Sequence, residues 1–269
     1  MTASEIRPAR VAVPSLAVRA RDVLGSEWAK LRSVRSTYWT LLIAAVTSIG
    51  ISAAVALTFV TQPSAGRPRI DPLLPGFLSL EYAVVAAGVL GVLSFGSEHA
   101  SGLIRTTFAA VPRRRAVLAA KAAVAGTVTL IAGELLCFAS FFLVQAILSG
   151  KHLGVSLSRP GVAGAVLGEG VLLSVCAMLG LGLGAMIRHT AGAVAALFGL
   201  LFLPAIVGLL PAPWNDRIGR FTLVYAAQQV AALHARAGLF SPGLSMLVVI
   251  AWPAAVLLAA AVLITRRDV

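Results

Sequence analysis

Six apolar stretches, at about 38–60, 77–95, 122–148, 161–187, 191–210 and 244–264, alternate along the chain with shorter polar segments. A helix needs ~20 predominantly apolar residues to cross a bilayer, so each stretch predicts one span. Two of the polar segments keep a helical period of their own. Across residues 14–36, Ala20, Leu24, Trp28 and Leu31 fall on one face, while Arg19, Asp22, Ser26, Lys30 and Ser33 take the other, with Ser15 placed as a cap. This helix is too polar to span and is apolar on one side. It is expected to lie flat in the membrane interface, with Trp28 at headgroup level.

The second amphipathic segment, residues 95–121, is the polar interruption that most invites a function. Ala100, Ile104, Thr107, Phe108 and Val111 form one stripe and Glu98, Ser101 and Arg105 the other. Ser97 is placed to cap this helix, and Glu98 suits its positive end. Pro112 stops it, and Arg113, Arg114 and Arg115 follow at its negative end. Glu98, Gly102 and Arg105 are four and three residues apart and so share a face, where Gly102 leaves room for a partner's backbone.

The connections at 61–76 and 149–160 are too short to fold separately. Within 211–243, residues 222–239 place Leu223, Ala227, Val230, Ala231 and His234 along one face. This pattern reads as an external interfacial or re-entrant helix, admissible where protein or water satisfies its ends. Gly164/Gly168 and Gly180/Gly184 have the four-residue spacing that lets helix backbones approach. Pro204 and Pro253 are expected to kink their spans.

Composition agrees with the pattern. Of 269 residues 59% are hydrophobic and 12% charged, and the mean hydropathy is +0.93, so the fold class is an all-α integral membrane protein. The net charge of +12 does not point to nucleic acid, because the basic residues sit between the apolar runs. With six spans both termini share a side, which carries 15 Lys and Arg residues against 7 on the other. The positive-inside rule makes that side cytoplasmic, in a multi-pass protein of the cell membrane. The expected organisation is a cytoplasmic segment 1–37, a six-helix transmembrane domain 38–264 and a cytoplasmic tail 265–269; residues 1–37 hold no apolar core long enough for a secretory signal.

Little of the chain offers chemistry. Cys137 and Cys176 lie in apolar runs at no metal-ligand spacing and read as packing residues, and His99, His152, His189 and His234 are scattered, so neither a metal nor an enzyme is expected. A P-loop needs Lys followed by Ser or Thr, whereas Lys30, Lys121 and Lys151 are followed by Leu, Ala and His. Glu134 and Glu169 lie within spans, where an ionised carboxylate costs at least ~2.5 kcal/mol. Each is either satisfied by Ser or backbone groups or serves a pathway, as a proton relay or substrate contact. Glu81 lies nearer a span end, where the cost is smaller.

At two places the residues carry a resemblance. The segment SEWAKLRSVRSTYWTLL (26–42) before the first span and SEHASGLIRTTFAAVPRRR (97–115) between spans two and three resemble the type 2 ABC transporter permeases, the export-type membrane subunits. Glu98, Gly102, Arg105 and Thr106 fit that family's Glu-x-x-x-Gly-x-x-Arg-Thr pattern, while His99 and Ala100 stand where an aromatic residue and an Arg are commoner. The resemblance implies an elbow helix before span one, a cytoplasmic coupling helix between spans two and three and an external re-entrant segment between spans five and six. It further implies that Glu98, Gly102, Arg105, Thr106 and Phe108 engage a separate ATP-binding subunit, which alone would hold ATP and Mg. The chain would be half of a homodimer or heterodimer in the lipid bilayer, with the turn at 188–190 as a second cytoplasmic contact. The rival reading is a proton-coupled secondary transporter or channel using Glu134 and Glu169.

Overall fold

The computed structural model describes residues 20–61, 72–232 and 238–266, and every regular element among them is a helix. In chain order these are α1 (Ala20–Ser33), α2 (Arg35–Thr61), α3 (Leu74–Ala100), α4 (Leu103–Ala110), α5 (Arg114–Ser149), α6 (Val162–Ile187), α7 (Thr190–Leu201), α8 (Leu203–Val207), α9 (Trp214–Gly219), α10 (Leu223–Ala231) and α11 (Pro242–Arg266). Five of them, α2, α3, α5, α6 and α11, are long and apolar enough to cross a membrane. Residues 14–19 of the first amphipathic segment and His234 lie outside the described residues.

The fifth apolar run does not form one span-length helix. Pro204 has no N–H to offer Leu200, so the ladder of α7 ends at Phe202, and Pro204 instead occupies the first turn of α8, where a missing donor costs nothing. The expected kink is thus a helix boundary. Pro253, by contrast, stays inside α11. At 36 residues α5 is ~54 Å long, well over the ~30 Å of hydrocarbon in a bilayer.

α6 is the axis of the packing: α3 packs on it most extensively, and α5, α11 and α10 surround it. The α3–α6 seam is glycine on glycine. A Cβ on Gly91 would strike the Ala177 carbonyl, one on Gly180 the Gly88 carbonyl, and one on Gly184 would lie 2.7 Å from the Val92 carbonyl. Numbers rise together along the two helices, so they run parallel. Of the two glycine pairs singled out in sequence, Gly180/Gly184 makes this seam. Gly164 has open space beside it, and Gly168 faces Val230 of α10. A large apolar core holds α3, α5, α6, α7 and α10 together, and a second cluster at one end gathers Phe95, Ile104, Leu118, Leu181, Ala260 and Ile264.

Candidate functional site

That second cluster is where α4 is seated, and the local sequence explains why. Helix α3 does not stop at Ser97. It runs through Ala100, and the Ser97 hydroxyl donates back to the Leu93 carbonyl rather than capping a new helix. The break comes at Gly102, whose φ of 74° is left-handed, a conformation glycine adopts without penalty at the end of a helix. α4 then extends for eight residues to Ala110, with Val111 as its C-cap and Pro112 following as a stop.

This geometry corrects the expected face. Glu98 belongs to α3 and Arg105 to α4, with the left-handed residue between them, so Glu98, Gly102 and Arg105 do not line one helix. Glu98 is 7% exposed and points into the protein. Leu103, Arg105, Thr106, Ala109 and Ala110 form the exposed side of α4, while Ile104 is buried and Phe108 packs on the cluster. The arginines that were expected to trail α4 are divided: Arg114 begins α5, stacks 5.3 Å from the Phe108 ring centroid and donates to the Ile264 carbonyl at 3.1 Å. A cation there is favoured by the negative end of α11.

Beneath α4 lies a charge cluster drawn from three helices. Lys121 of α5 holds Glu27 of α1 at 2.7 Å and Glu98 of α3 at 2.7 Å. Lys30 of α1 holds the same two carboxylates at 2.8 and 2.9 Å and reaches the Thr107 hydroxyl of α4 at 3.4 Å. Glu98 Oε1 accepts from both lysines, and the Lys121 ammonium also sits 5.2 Å from the Phe95 ring centroid. Two carboxylates balance two ammonium groups, which is what makes their burial tolerable. For Lys30 the largest influence is burial, which pushes its ammonium down; hydrogen bonds to Glu27 and Glu98 outweigh it and hold the group above the ordinary lysine value. A cavity of about 460 Å³ lies against the cluster.

Sequence reasoning missed Glu27, Lys30 and Lys121 as a unit. Lys30 was placed on the solvent face of α1, yet the side of α1 turned to the protein carries Val23, Glu27 and Lys30, leaving Leu24 and Trp28 40% and 51% exposed. The available signal was the i,i+3 Glu27–Lys30 pair, together with a lone Lys121 at the start of an apolar run.

The two carboxylates of the rival reading, Glu134 and Glu169, lie on facing sides of α5 and α6. Glu169 shares a cavity with Glu81; Glu134 is not on its wall, but packs against Gly170, where a Cβ would lie 2.6 Å from its Oε1. No cluster of His, Cys, Asp or Glu suited to a metal occurs among the described residues, where Cys137 and Cys176 are free and buried. No protein-family model matches the chain, and no curated protein matches it either.

Proposed function

We propose that this chain is the membrane subunit of an ATP-driven exporter, with α4 as the coupling helix on which a separate ATP-binding subunit acts. The single observation that carries the reading is the mounting of α4. A short helix, jointed by a left-handed glycine, presents Leu103, Arg105 and Thr106 outward, while its inner face bears on the ends of α3, α5, α6 and α11 and is clasped to α1 by Lys30. A push on α4 therefore reaches most of the spanning helices at once, as rigid-body switching requires. In this reading α1 is the elbow helix, its exposed Leu24 and Trp28 turned to the interface. α7 and α8 together make the sixth crossing, and α10 is the re-entrant segment, so that both termini are cytoplasmic. A second permease, identical or related, completes the transporter.

Burial decides which variant tests this. Glu98 is buried, so its removal would damage the protein's own packing, and the exposed Arg105 and Leu103 are the residues to alter. Co-purification in mild detergent of the native chain should bring down a P-loop ATPase, and an L103D/R105E variant of unchanged elution volume should lose it. If no ATPase accompanies the native chain, the coupling reading fails.

A further inference from the structure

Between α3, α6, α10 and the α7–α8 junction lies a cavity of about 610 Å³, within the ~300–1,000 Å³ usual for small-molecule sites. Its walls are mostly apolar, including Phe77, Leu172 and Phe202, and its polar groups are Glu81, Glu169 and Gln228. Glu169 is 8% exposed and makes no hydrogen bond or ion pair with any other described residue. A carboxylate so placed is costly while ionised, and the cost is relieved when it takes up a proton or when a cation joins it. Among the described residues no Lys, Arg or His lines the cavity, and the other titratable groups on its wall are the Cys176 thiol and Glu81, a second carboxylic acid.

A hard divalent cation is a poor match, since Ca²⁺ seeks six to eight oxygens and Mg²⁺ an octahedral set with waters, as a rule. Two carboxylates and one amide among aliphatic and aromatic walls instead fit a cation that carries its own apolar surface, with Phe77 and Phe202 able to face the charge. Leu78 and Phe202, both on the wall, are 41% and 61% exposed, so the cavity borders the surface available to lipid.

We propose that this cavity binds a monovalent amphiphilic organic cation, with Glu169 as its counter-charge and Glu81 as a second, more exposed attraction. That this ligand is the exported cargo rests on the transport reading; the binding itself does not, and it is measured without any ATPase present.

The experiment is equilibrium dialysis of radiolabelled tetraphenylphosphonium against the purified chain in lipid nanodiscs, with empty discs as the blank. Saturable binding of one cation per chain is expected. Glu169→Gln should weaken it at least tenfold and Glu81→Gln by a smaller factor. Leu172→Trp keeps both acids but fills the cavity, and should abolish binding even if the Glu169 variant proves unstable. Tetraphenylborate, an anion of nearly the same shape measured separately, should show no saturable binding to the protein. Absence of saturable phosphonium binding to the native chain, equal binding by Glu169→Gln, or matching uptake of the borate would each overturn the proposal. Loss of the ATPase partner in the co-purification would leave this result untouched.

Discussion

Lys121 is the residue on which the packing at the α4 end of the bundle turns, because its side chain is 5% exposed and its ammonium bridges carboxylates from two other helices. Replacing one partner of a buried ion pair strands the other, a loss of about 3–5 kcal/mol. Lys121→Met is therefore expected to lower the detergent melting temperature well below that of Lys151→Met, an exposed loop substitution, as followed by thermal aggregation of purified protein. Lys30 gives a pH signature. Its folded pKa is raised, so its contribution to stability is fully present below the unfolded lysine value and is lost as pH climbs through the folded one. The melting temperature should fall at strongly alkaline pH, above ~10.4, and part of that fall should be missing in Lys30→Met, as a pH series of melts on the two proteins would report. Neither role was legible from spacing alone. Lys121 sits at the edge of an apolar run, where the bland reading is a topology charge, and its partners are 94 and 23 residues away. Only packing α1 and α3 against α5 brings the four charges together.

At the scale of elements, the sequence was informative wherever apolar length alone decided the outcome. Four of the six runs became parts of α2, α3, α5 and α6, a further one became α11, and the amphipathic patterns recur as α1, α4 and α10. It misled where a helix period was carried across a residue that breaks it. Ser97 to Arg115 keeps a plausible stripe on paper, but Gly102 in the left-handed region turns the chain, and everything before it follows the axis of α3. Read as the terminator of a helix rather than as a gap for a partner, that glycine would have divided the segment correctly. The same lesson holds for Pro204. The glycine pairs were half legible, since spacing announces a close approach but not which helix makes it. The α3–α6 seam supplies a test: Gly91→Ala and Gly180→Ala each drive a methyl into facing backbone, which cannot swing aside as a side chain can. Both should cut the yield of monodisperse protein severalfold on size-exclusion chromatography, whereas Gly164→Ala, with open space beside it, should leave it unchanged.

Over the whole molecule, composition announced a membrane protein and nothing in it announced a cargo. The cavity at Glu169 depended on three helices and a junction meeting, and the pairing with Glu81 follows from parallel α3 and α6 placing both acids toward corresponding ends. A substantial outer surface stays apolar: Trp39, Ile43 and Val46 on α2 and Leu247 and Leu258 on α11 are all more than half exposed, in keeping with helices that lipid or another subunit covers.

The length of α5 bears on how a partner is recruited. Its stretch from Arg114 to Lys121 adds ~12 Å before the apolar run begins, whereas the headgroup layer on one side of a bilayer is only ~5–7 Å deep. On the coupling reading proposed above, with the bilayer beginning where the apolar run does, the outer side of α4, mounted beside that stretch, stands clear of the lipid in bulk water. On that reading, a partner that grips α4 through Leu103 and Arg105 needs no membrane anchor of its own and can come and go from solution.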